Sequence, residues 1–184
     1  NTQKQLFEKT IVWDCGNGAS GPTVEMLTAR IPGKHVVLYS KVDGNFPNHH
    51  PDPTDESTLK ILLRKMEEAG AELGIAFDGD GDRIGVVDKQ GRAIPGDLLT
   101  AFLASSINTN DKENQTIILD IKSSYIAYEN IISLGFKAEI GKTGHSNIKK
   151  RLKEIESPLA GEMSGHIFFG DTYFGYDDAL YAAI

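Results

Sequence analysis

Short apolar runs, each closed by a Gly- and Asp-rich break and separated by helical patterns, constrain this chain more than any other feature. Ile11–Trp13 reads as a buried strand ending in Asp14-Cys-Gly-Asn-Gly-Ala-Ser-Gly21, with a helix predicted from Pro22 to Arg30. Val36–Tyr39 is a second strand, Asp43–Pro53 a turn-rich irregular stretch, and Thr58–Ala69 an amphipathic helix. Leu73–Phe77 and Ile84–Val87 are two more strands, and Asp78–Arg83 lies between them. After Pro95-Gly96 the pattern restarts with a helix from Asp97 to about Ile107, strand Thr116–Asp120, helix Tyr125–Leu134, strand Phe136–Ile140 and helix Asn147–Ile155. Strand Ile167–Phe169 follows the loop Gly161–His166, and Asp177–Ile184 reads as a helix barely begun.

Strands joined through helices run parallel and need both faces covered. The expectation is therefore α/β: two similar three-layer α/β/α domains with mixed, mostly parallel sheets, one over 1–95 and one over 96–184. In such sheets ligands gather at the carboxyl ends of strands, which is where Asp78–Arg83 falls. The chain has 184 residues, enough for two cores of about 90 residues each.

A formal net charge of −7 argues against nucleic acid as a partner, because that needs a basic surface. No apolar run approaches the roughly 18 residues that cross a bilayer, so no membrane partner is expected. Asn1–Lys9 is polar, without a basic leader and apolar core, and the single cysteine, Cys15, has no internal disulfide partner. Together these favour a cytoplasmic location.

Asp78-Gly-Asp-Gly-Asp82-Arg83 sets three carboxylates at alternate positions, and the intervening glycines let the backbone curl until all three face one point. Two carboxylates about 5 Å apart at an effective dielectric near 20 repel by roughly 3 kcal/mol, so the cluster calls for a cation. Oxygen-only ligands select a hard ion such as magnesium. A calcium EF-hand fails, since its glycine position holds Arg83 and its closing glutamate position holds Lys89. A haloacid-dehalogenase-type phosphatase also places Asp-x-Asp after an apolar strand, with Asp78 as nucleophile, but the further acid at Asp82 favours metal ligation. A non-catalytic metal- or sugar-binding module is the third reading.

Gly161-Glu-Met-Ser-Gly-His166 brings an acceptor, a hydroxyl and an imidazole into one tight loop, the set that grips vicinal sugar hydroxyls beside a proton-transfer group. Lys142-Thr-Gly-His145 adds a second cation and imidazole. With these two loops, Asp78–Arg83, Asp14–Gly18 and Val42–Pro53, the chain resembles the α-D-phosphohexomutase superfamily along nearly its whole length. Met163 resembles the phosphomannomutase/phosphoglucomutase branch. Asp43–Pro53 itself is read as a structural crossover loop rather than a metal site.

The resemblance implies interconversion of hexose 1-phosphate and hexose 6-phosphate, mannose or glucose, through a phosphoserine enzyme and a hexose 1,6-bisphosphate that serves as intermediate and activator. By position, Asp78, Asp80 and Asp82 would hold one Mg²⁺ per active site, with a phosphoserine oxygen completing the set. Arg83 would face that phosphate, and Lys122 in Asp120-Ile-Lys-Ser123 resembles the active-site lysine. Thr143 and His145 would line the sugar pocket, Glu162 and Ser164 would bind sugar hydroxyls, and His166 is the proton-transfer candidate. The resemblance covers the family's second and third domains. The partners it implies are a phosphosugar and two further domains, an N-terminal one carrying the serine and a C-terminal one clamping the distal phosphate. Without them the chain is expected to bind magnesium weakly and to turn over no sugar phosphate.

Overall fold

A computed structural model describes residues 9–184, so all but the last residue of the polar segment Asn1–Lys9 lies outside the described residues. The chain divides into two compact units, one running to Ile94 and including Leu180–Ile184, the other Pro95–Ala179.

The first unit is built in the order β1 (Thr10–Asp14), α1 (Gly21–Thr28), β2 (Lys34–Leu38), α2 (Lys60–Ala69), β3 (Leu73–Phe77), β4 (Ile84–Asp88) and β5 (Ala93–Ile94). Its sheet has the order β2-β1-β3-β4-β5. β1 pairs parallel with β2 and β3, and β4 and β5 then add antiparallel, so β4 alone opposes the common direction. Strand alternation puts Val12, Ala76 and Val87 on one face, where they pack with Leu59, Leu62 and Met66 at α2. Burying a side chain such as Leu62 contributes about 1.5–3 kcal/mol. Trp13, Ile75 and Phe77 point the other way and are equally buried. The Trp13 ring stacks on Phe77 at 6.3 Å between centroids, and its indole N–H donates to His35 Nδ1 at 3.1 Å. α2 stops at Gly70, whose φ of 60° is the left-handed cap that releases the chain toward β3.

The second unit contains α3 (Gly96–Ala104), a 3₁₀ turn (Lys112–Asn114), β6 (Thr116–Asp120), α4 (Tyr125–Ser133), β7 (Lys137–Gly141), α5 (His145–Glu154), β8 (Leu159–Gly161) and β9 (Ile167–Phe169), and α6 (Ala179–Ala182) ends the chain's elements. The sheet order is β7-β6-β8-β9, with β9 alone antiparallel. Ile118, Ala160 and Phe168 face α5 through Ile148 and Leu152. Ile117, Leu119, Leu159 and Ile167 are buried on the opposite face, where Thr100 of α3 lies against Gly161.

Both sheets therefore repeat one plan: a central first strand, a helical crossover to each side, and an antiparallel partner on the third strand. Three details depart from the sequence expectation. Leu159–Gly161 and Ala93–Ile94 form strands too short for periodicity to register. Gly161 belongs to β8 rather than to the loop, because it pairs with Leu119 and Ile167 and has Thr100 against it. His145 opens α5 instead of closing a loop, since Gly144 at φ 113° makes the turn into the helix. Among the described residues no helix is long and apolar enough to cross a membrane.

The entry to α1 gives a direct test of packing. A methyl at Gly21 would overlap the backbone carbonyl of Ser40, which cannot rotate away. Gly21→Ala should cost about 1–3 kcal/mol, read as a lower urea midpoint with an unchanged slope.

Candidate active site

In each sheet the first and third strands are neighbours whose crossovers leave in opposite directions, and their carboxyl ends open the crevice where ligands bind in α/β folds. In the first unit these ends carry the Asp14–Gly18 and Asp78–Arg83 loops. The loops meet backbone to backbone: the Ala19 N–H donates to the Gly79 carbonyl at 2.9 Å. A Cβ on Gly18 would come 2.7 Å from that same oxygen, so only glycine permits the approach.

Asp78 organises the acidic loop. It is 3% exposed, and its Oδ1 accepts from the backbone N–H groups of Gly81, Asp82 and Arg83 at 3.0, 3.1 and 3.2 Å. Its Oδ2 accepts from Arg83 Nε at 2.7 Å, while Arg83 Nη1 reaches Asp52 Oδ1 at 3.3 Å. Gly81 supplies the φ of 82° that curls the loop back. The result gathers Asp78, Asp80 and Asp82, each with a carboxylate oxygen within 4.8 Å of the others. Arg83 is held by two acids of its own unit, so its guanidinium is oriented by the protein.

The irregular 43–53 stretch packs over this end of the sheet. His49 Nε2 lies 3.1 and 3.0 Å from the two oxygens of Asp14, which is 1% exposed, and His49 Nδ1 is 2.9 Å from the His50 carbonyl. Both ring nitrogens face acceptors, and the bond to Asp14 raises the imidazole above its ordinary range despite partial burial.

In the second unit the expected residues fall at the carboxyl ends of β6, β7 and β8. Glu162, 2% exposed, accepts from the Gly144 N–H through Oε1 at 2.7 Å and pairs through Oε2 with His166 Nδ1 at 3.3 Å. Ser164 Oγ also meets His166 Nδ1, at 3.0 Å. Burial by itself would raise the Glu162 carboxyl, but the His166 and Gly144 bonds hold it below the usual range, so it is an anion ready to accept. Thr143 Oγ1 donates to Asp120 Oδ2 at 3.1 Å. Lys122 is exposed just past β6 and makes no hydrogen bond or ion pair among the described residues, leaving its ammonium available to an anion.

Sequence reasoning missed four acids and bases that structure this end of each sheet. Asp14 and His49 form the buried pair already described. Asp120, 1% exposed, bonds Ser123 Oγ, Thr143 Oγ1 and the Met163 N–H, tying three loops together. Asp177 receives His145 and Lys149. An acid as the last residue of an apolar strand was the available signal for Asp14 and Asp120; Asp177 offered none, because its neighbours on the page of the sequence are not its neighbours in the fold.

Residues 1–91 match the family model for phosphoglucomutase/phosphomannomutase alpha/beta/alpha domain II, and residues 95–184 match that for domain III. The chain belongs to the phosphoglucomutase/phosphomannomutase family. A phosphomannomutase/phosphoglucomutase of Pseudomonas aeruginosa is 45% identical over 174 residues, covering 94% of this chain and 37% of that protein. A phosphoglucomutase of Neisseria gonorrhoeae is 43% identical over 173 residues, again with 94% and 37% covered. The solved structure of a phosphoglucomutase/phosphomannomutase family protein from Burkholderia thailandensis matches with a TM-score of 0.91 at 41% identity, covering 96% of this chain and 38% of that one. The chain thus spans well under half the length of these members of the phosphoglucomutase/phosphomannomutase family.

The His49 pair predicts a pH dependence. A folded-state pKa above the unfolded value means its stabilisation is complete below about pH 6.5 and is lost as pH rises through the folded pKa. Urea stability should therefore decline on the alkaline side of 6.5, and His49→Gln should flatten that decline.

Proposed function

We propose that this chain is the central part of a phosphohexomutase, contributing the metal loop and the sugar-binding loop to an enzyme that interconverts hexose 1-phosphate and hexose 6-phosphate. The observation that carries the reading is the convergence of Asp78, Asp80 and Asp82, within 4.8 Å of one another, at the carboxyl end of a strand beside the topological switch point. Two domains are assigned, the metal-binding one over 1–95 and the sugar-binding one over 96–184.

The donor set fits magnesium: three hard carboxylate oxygens, with no thiolate and no imidazole in that trio. Asp78, Asp80 and Asp82 would hold the ion, which would supply charge compensation for a phosphoryl group. Asp78 already has Oδ1 committed to three amides, so it holds the loop in shape whether or not a ligand is bound. Arg83, held by Asp78 and Asp52, presents a cation of set direction to a phosphate. In the second unit Lys122 offers an exposed ammonium to an anion.

Glu162 is an ionised acceptor for a sugar hydroxyl, and Ser164 can accept from one or donate to it. His166 sits beside both and takes or returns the proton of the hydroxyl that receives the phosphoryl group. Thr143 and His145 line the same pocket. Transfer needs this positioning and charge stabilisation far more than covalent chemistry at these residues. The phosphoserine and the clamp for the distal phosphate would come from parts of the polypeptide outside this chain, with hexose 1,6-bisphosphate as the intermediate turned over between two transfers. The reading carries a cytoplasmic location, with Cys15 a buried thiol whose pKa burial pushes up to about 12 and which is therefore unreactive.

The intact polypeptide should convert mannose 1-phosphate and glucose 1-phosphate to their 6-phosphates with magnesium. Asp80→Ala should lower kcat by on the order of 10²–10³ and abolish the magnesium heat in titration calorimetry. Full activity in that variant would remove the metal reading. Release of inorganic phosphate without isomerisation, lost in Asp78→Asn, would instead establish the phosphatase.

A further inference from the structure

Asp177 is an acid with no role in the reading above, and the structure gives it an unusual set of neighbours. Its side chain is 6% exposed. An antiparallel bridge to Phe168 and a bond from the Asp178 N–H to the Ile167 carbonyl fix its backbone alongside β9. From there the carboxylate divides its two oxygens between different partners. Oδ1 accepts from Lys149 Nζ at 2.9 Å. Oδ2 lies 3.3 Å from His145 Nδ1 and 3.9 Å from His166 Nε2.

The division has a physical consequence. Lys149 stands one turn after His145 on α5, so a single helix face delivers both the counter-charge and the imidazole to one buried acid. With Lys149 compensating the charge, burial does not force the carboxyl to take a proton, and the Lys149 bond keeps it below its ordinary range. An ionised carboxylate has only acceptor capacity, so the His145 nitrogen facing it must be the protonated one. His145 is then an Nδ1–H imidazole with Nε2 turned away from the acid. His166, held at Nδ1 by Glu162 and Ser164, has its other edge toward the same oxygen, and the two rings stand 5.8 Å apart.

We infer that Asp177 is a positioning residue for the sugar pocket: it sets the tautomer and ring direction of His145 and fixes the spacing between His145 and His166. It acts through those rings and touches no reacting atom. The inference rests on the mutase reading for its effect on turnover, but its structural content is independent of that reading.

The test separates the two. Ring ¹⁵N spectra of the intact polypeptide, recorded above the imidazole titration, report the tautomer directly. Neutral His145 protonated at Nδ1 is expected, shifting toward Nε2–H in Asp177→Asn. In the mannose 1-phosphate assay Asp177→Asn should lower kcat about 10- to 100-fold with little change in KM, the cost typical of losing an orienting partner. An Nε2–H tautomer in the wild-type protein overturns the inference even if Asp177→Asn does not fold. Wild-type kcat in Asp177→Asn, or an unchanged ring spectrum, overturns it as well. Absence of sugar turnover in the wild type would sink the mutase reading and leave the spectra to decide the role of Asp177.

Discussion

Helical crossovers to either side of a central strand are the constraint from which the rest follows. A strand that sends one helix-linked neighbour to its left and the next to its right must leave an open crevice at its carboxyl end, because the two connections diverge there. Both units obey this, around β1 in one and β6 in the other. Polar groups placed at those ends need not be buried in the sheet, yet the strands beneath hold them rigidly. Asp14, Asp78, Asp120 and Glu162 all sit at such ends, and all are buried.

Burial of these acids is possible there because each is surrounded by donors. Asp78 has three amides and a guanidinium; Glu162 has an amide and an imidazole; Asp120 has two hydroxyls and an amide. Isolated carboxylates in those positions would be costly, and donor groups convert that cost into a fixed direction for each oxygen. The acids therefore shape the loops they belong to and tie them to their neighbours.

Much of this fold is legible in the sequence. The 2- and 3.6-residue periodicities located nearly every long element, and Asp78–Arg83 stood out as a candidate site because three alternating acids lie between two apolar strands, where the structure gathers them. The limits were equally physical. Leu159–Gly161 has only three residues, so its strand character comes from pairing with β6 and β9 rather than from its own pattern. His145 begins a helix because Gly144 takes a backbone angle that composition cannot announce. Asp177 and His49 gain their meaning from partners 32 and 35 residues away, at Asp177–His145 and His49–Asp14, and no local spacing encodes a contact of that range.

Among the described residues the donors to Asp78 come from within five residues of it, while the loop is tied outward where Ala19 meets Gly79 and Arg83 meets Asp52. A turn whose central acid carries its own donors keeps that acid's geometry local. The direction of the Asp78 carboxylate is therefore settled when the chain folds, and no later event has to supply the entropy of ordering it.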